Sequence, residues 1–160
     1  MFRRALTVVA VVAGIGSALA PAALAESSPE TVDFVAEEGA YPFGGQSGHW
    51  VAGPDHEVMI REHDNVLKVD ADANNGFDYF ALEFTGPDGA ALQPGAYDHA
   101  GGAHILAISA GLGCTDDYSA FTISRIERDG GQLVALDATF EQRCSGPDHP
   151  AFRGSVHFER

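Results

Sequence analysis

Past residue 26, Gly and Pro interrupt the apolar runs at intervals of about ten residues, a spacing that leaves little room for helices of several turns. The interruptions include Gly53-Pro54-Asp55, Asn74-Asn75-Gly76, Gly86-Pro87-Asp88-Gly89, Pro94-Gly95 and Asp129-Gly130-Gly131. Between them lie short segments that read as strands: Thr31–Ala36, 49–52, 57–62, 66–72, 79–84, Tyr97, His104–Ser109, 120–126, Gln132–Cys144 and 154–158. Two of them alternate along their length. Leu67, Val69 and Ala71 are interleaved with Lys68, Asp70 and Asp72. Val134, Leu136, Ala138 and Phe140 share one face, opposite Asp137, Thr139, Glu141 and Arg143. Strands with one dry and one wet face need a second layer, so about nine of them imply two packed antiparallel sheets. The expected fold is an all-β sandwich, jelly-roll or immunoglobulin-like.

The first 25 residues stand apart. Arg3 and Arg4 precede an apolar stretch over 5–20, Pro21 breaks it, and Ala23-Leu24-Ala25 supplies an A-x-A site. This reads as a secretory signal cleaved before Glu26, leaving 26–160 as one domain and placing the protein outside the cell. Cleavage removes two arginines and no acid, taking the formal charge from −14 to −16. So acidic a surface repels phosphate backbones and anionic lipid, which argues against nucleic-acid partners. No apolar run of membrane-spanning length follows, so membrane insertion is not expected, and the chain reads as a monomer. In an oxidising compartment the two cysteines, Cys114 and Cys144, read as one disulfide. Closing that loop is worth about 3–4 kcal/mol in the chain-entropy account.

Catalytic signatures are incomplete. Gly44-Gly45-Gln46-Ser47-Gly48 has its Ser out of register for a nucleophile elbow. His56-Glu57-Val58-Met59-Ile60 opens like a zinc-protease motif but has Ile60 in place of the second His. A glycosidase needs only two facing carboxylates, and with 23 acids that requirement discriminates little. The calcium candidate is Asp70, Asp72, Asn74 and Asp78, oxygen donors at alternate positions. The EF-hand frame fails there, with Asn75 in place of the turning Gly and Ala81 in place of the bidentate acid. His49, His56 and His63 recur every seven residues, but that odd offset alternates faces on strands, so they read as separate strand-end residues. His99 and His104 flank one loop and make half of a divalent-metal site. Trp50, Tyr79 and Tyr97 are the candidate platform for stacking a sugar ring.

A further set of motifs runs from about residue 80 onward: Phe84-Thr85-Gly86-Pro87-Asp88-Gly89, Leu92-Gln93-Pro94-Gly95-Ala96-Tyr97, Gly113-Cys114, Phe121-Thr122-Ile123, Phe140-Glu141-Gln142-Arg143-Cys144-Ser145-Gly146 and Phe152-Arg153-Gly154. In this order they resemble a group of uncharacterised exported bacterial domains. The resemblance implies a β-sandwich with a disulfide between strand ends, and implies no activity. The expectation is therefore a secreted, acidic, non-enzymatic binding or surface module. A carbohydrate-binding module with a structural calcium and a small secreted hydrolase are the alternatives.

Overall fold

Period-two alternation sorts the side chains of nearly every strand into an inner and an outer set. In β1 (Thr31–Ala36) the inner set is Val32, Phe34 and Ala36; in β4 (Val66–Ala73) it is Leu67, Val69, Ala71 and Ala73. The structure is a computed structural model that describes residues 29–114 and 117–160; the expected leader over 1–25 lies outside the described residues. The other strands are β2 (Ser47–Val51), β3 (His56–His63), β5 (Asp78–Thr85), β6 (Gly95–Asp98), β7 (His104–Ser109), β8 (Leu112–Gly113), β9 (Asp117–Asp129), β10 (Gln132–Cys144) and β11 (Ala151–Glu159). They form two antiparallel sheets, one of six strands in the order β2-β1-β11-β10-β9-β6 and one of five in the order β3-β4-β5-β7-β8. The expected two-sheet sandwich is present, with eleven strands among the described residues. The extra pieces include β8, which is too short to carry a period.

Turn chemistry fixes the registers. Asp64 and Asn65 (φ 51° and 64°) link β3 to β4, and Gly130 and Gly131 (φ 55° and 82°) link β9 to β10. Two consecutive positive-φ residues make the primed turns whose twist matches that of the strands they join. Each sheet is largely a meander, and the first strand lies beside the last, with Val32 opposite Val156.

Between the sheets lies a layer rich in phenylalanine. Phe152 is fully buried and meets four other rings: Phe43 stacked at 3.8 Å, Phe140 at 5.1 Å, Phe34 at 5.9 Å and Phe80 at 6.2 Å. Phe84 joins the same layer through Phe121 and Phe140. Gly154 makes this packing possible. It interrupts the inward series of β11, and a Cβ there would lie 2.6 Å from the Phe140 ring and 2.2 Å from the Asp33 carbonyl oxygen.

Polar ties reinforce the layer. The Ile105 N–H of the five-stranded sheet donates to Asp117 Oδ2 and to Ser119 Oγ, both at 3.1 Å, at the start of β9 in the other sheet. At the far end of β9, Arg128 donates twice to Glu62 at 2.5 and 2.6 Å, and once to the Leu92 carbonyl at 3.0 Å. The Cys114–Cys144 disulfide, with Cα atoms 5.7 Å apart, connects the end of β8 to the end of β10. The sheets are thus joined covalently and by two hydrogen-bonded clamps.

Replacing Gly154 tests the close approach. Because backbone oxygen and an aromatic ring both stand in the way, Gly154→Ala is expected to cost about 3 kcal/mol and lower the melting midpoint by about 10 °C. A thermal melt matching that of the unchanged protein would contradict the packing described.

Candidate functional site

The three aromatics expected to form one platform lie in three places. Tyr97 stacks on Phe121 at 4.9 Å, and its hydroxyl accepts from Gln93 N at 2.8 Å and donates to Gln93 O at 2.9 Å, so it works as a corner residue. Tyr79 stands on the outer face of the five-stranded sheet. Partial burial raises its pKa, helped by the negative charges of Asp70 and Glu83. Trp50, on edge strand β2, is half-buried. Its ring meets Phe34 edge-on at 5.3 Å, Phe80 at 5.1 Å and the His56 imidazole, stacked at 5.6 Å.

Trp50 nonetheless lines a hollow of about 420 Å³ at one end of the sandwich. The strands bring it there: β2 carries Trp50, the Gly53-Pro54-Asp55 turn leads into His56 on β3, and the β4–β5 turn supplies Asn74, Asn75 and Asp78. Asn74 and Asn75 both have positive φ (52° and 59°), a conformation that Asn tolerates better than most residues, so the amides can sit at the tip of a tight turn. Asn74 Nδ2 donates to Asp78 Oδ2. Phe77, in the same turn, is 90% exposed. An adjoining hollow adds Glu57 and Asp72. Two members of the expected calcium set and one of the expected aromatic platform therefore meet in one place. Asp55 and His56 complete it without having been singled out for it. The signal for them was the Gly53-Pro54 turn, which brings the chain back beside the Trp50 edge.

The four expected calcium donors are otherwise separated. Asp70 and Asp72 occupy alternate outer positions on β4, about 7 Å apart along the strand. Asp70 is paired with Arg61 at 2.5 Å. Calcium wants six to eight oxygens at 2.3–2.6 Å, a far tighter gathering.

Outside the hollow, the outer face of the six-stranded sheet carries a groove of about 440 Å³ bordered by Asp98, Glu141 and Arg153. It is the cleft a hydrolase would need, but its carboxylates are already committed. Arg153 at 2.5 Å holds the Glu141 carboxyl below its usual range; burial opposes this less strongly, and Arg143 at 2.8 Å adds to the lowering. Asp98 accepts from the Gly101 N–H at 2.6 Å and caps the His99–Gly101 turn. A doubly paired Glu141 whose pKa is lowered is poorly suited to donate a proton. Glu30 is the opposite case. Burial raises its pKa, yet it lies at the β3 edge, where it accepts from the Ile60 N–H at 3.0 Å.

His49, His56 and His63 fall into separate settings, as their spacing implied. His49 pairs with Asp33 at 2.5 Å, His157 with Asp137 at 2.6 Å, and His63 lies 3.2 Å from Asp64. His99 and His104 are brought together, their rings 5.5 Å apart and nearly perpendicular. Asp117 joins them. It was missed in the sequence because it lies thirteen residues beyond His104 and opposes Cys144 across the β9–β10 ladder. The cysteine pair was the one signal that could have placed it.

No family model, curated protein or solved structure matches this chain. What the site can bind follows from its own geometry.

That geometry makes a prediction for calcium. Adding calcium chloride to about 2 mM, ample for extracellular calcium modules, should leave the thermal midpoint unchanged. A rise of several degrees, lost in Asp78→Ala, would show that the Asp70–Asp78 segment closes around the ion.

Proposed function

We propose that this chain is an exported, acidic, non-enzymatic binding module, and that its ligand is an uncharged sugar held in the Trp50 hollow. The supporting observation is the composition of that hollow: one half-buried indole flanked by Asp55, His56, Asn74, Asn75 and Asp78, with exposed Phe77 in the same turn. The solvent-facing part of the indole, which otherwise packs on Phe34, Phe80 and His56, and exposed Phe77 offer apolar surface to the C–H face of a sugar ring, whose hydroxyls meet the carboxylate and amide groups around them. Carboxylates accept from hydroxyls in strong charge-assisted hydrogen bonds, and they repel anionic ligands. The negative charge of the chain points the same way, against phosphorylated or sulfated ligands. Secretion through the leader at 1–25 belongs to the same reading, as does the resemblance to exported bacterial domains. Structural calcium is not needed for it.

A glycan array probed with the exported protein, followed by calorimetry on the best hit, tests this reading. Asn74→Gly, which keeps the positive φ of that position, and Asp78→Ala alter exposed side chains and should leave the fold intact. Each should weaken binding about tenfold, the value of one good hydrogen bond to a polar or charged group. An array with no retained glycan, or binding unchanged in both variants, would overturn the assignment.

A further inference from the structure

At the opposite end of the five-stranded sheet, three potential metal ligands converge. His104 opens β7 across from Thr85, at the far end of β5 from Asp78. His99 opens the short turn after β6 and Asp117 opens β9, so the two sheets contribute to one cluster. One donor atom from each of the three residues lies within 4.8 Å of the others, and they are the only such trio among the described residues.

We propose that His99, His104 and Asp117 bind one divalent transition-metal ion of the zinc class. The Asp117 carboxylate is about nine-tenths buried, and its two oxygens differ in use. Oδ2 is saturated by the Ile105 N–H at 3.1 Å and the Ser119 hydroxyl at 2.6 Å. Oδ1 faces His104 Nδ1 at 3.4 Å. The His49–Asp33 and His157–Asp137 pairs close to 2.5 and 2.6 Å, as direct hydrogen bonds do. The His104–Asp117 pair stays open by almost an ångström more. Tetrahedral zinc with bonds of 2.0–2.1 Å sets its ligand atoms about 3.3 Å apart, which is the separation of this pair.

His99 supplies the second, independent observation. Its Nδ1 is buried and has no hydrogen-bond partner, although buried imidazole nitrogens are ordinarily paired. The ring is held against Tyr118 at 4.8 Å and is hinged at the start of a turn, so a modest rotation can close the remaining gap. Two imidazole nitrogens and one carboxylate oxygen suit zinc, copper or nickel over calcium or magnesium. The hydrogen bonds on Asp117 Oδ2 are the outer contacts that orient a ligating carboxylate. His104 is half exposed, which leaves a fourth position open to water or to a group on another molecule.

Zinc chloride titrated by calorimetry into the purified, untagged protein reads the site directly. One ion per chain is expected. His99→Ala and His104→Ala should each weaken binding at least tenfold, while His49→Ala and His157→Ala leave it unchanged. Because His104 is half exposed, His104→Ala should also retain the melting profile of the metal-free protein. Cobalt provides a second readout: its tetrahedral absorption band should form with the unchanged protein and fail with His104→Ala. No zinc uptake, or uptake unaffected by both cluster variants, would overturn the proposal.

Discussion

Two sheets that each bury one face depend on a layer thin enough to be closed by side chains alone, and here Phe152 sits at its centre. Its contacts reach β1 through Phe34, β5 through Phe80, β10 through Phe140 and the β1–β2 loop through Phe43. Aromatic rings contribute large buried areas and prefer the edge-on and offset arrangements seen among them. The side-chain-free Gly154 lets Phe140 lie flat against β11. Without that approach the layer would have to thicken, and the clamps at Asp117 and Arg128 would lose their reach. The hydrogen-bonded ties are thus consequences of close packing as much as causes of it.

A dry, interlocked middle leaves polar chemistry to the ends and outer faces. The outer faces are used for ion pairs. Of the seven basic residues beyond residue 25, Arg61, Lys68, Arg125, Arg128, Arg143 and Arg153 are paired with acids, and Arg160 lies 5.2 Å over the Phe158 ring. Apart from the part-buried Arg128–Glu62 clamp, such pairs stabilise little individually, but they leave no free basic patch to attract phosphate among the described residues. The two ends differ in character. One offers an indole with amide and carboxylate neighbours. The other offers imidazoles and an anchored carboxylate. Their placement follows from the same topology, since the antiparallel β4–β5 hairpin carries the chain from Asn74 at one end to Thr85, beside His104, at the other.

Much of the fold was legible because burial follows local alternation. The wet strand over 66–72 and the two-faced strand Gln132–Cys144 stand in the structure where their periods placed them, and the even cysteine count matched the bridge that forms. Leu112–Gly113 was not legible, because two residues have no period. The sites were only half legible. His99 and His104 could be linked because one short loop spans them, whereas Asp117 reaches them through inter-sheet packing that no local pattern encodes. Trp50, Tyr79 and Tyr97 are alike in residue type, yet strand register sends them to a hollow, an outer face and a corner.

Rigidity is expected to reside in the aromatic layer, with the turns at both ends of the sandwich outside it. Native-state hydrogen exchange measures this directly, residue by residue. The slowest amides should be those of β5, β10 and β11 around Phe80, Phe140 and Phe152, exchanging only through global unfolding. The turns Asn74–Gly76 and His99–Gly101 should exchange orders of magnitude faster. Core amides that exchange as fast as those turns would contradict the account.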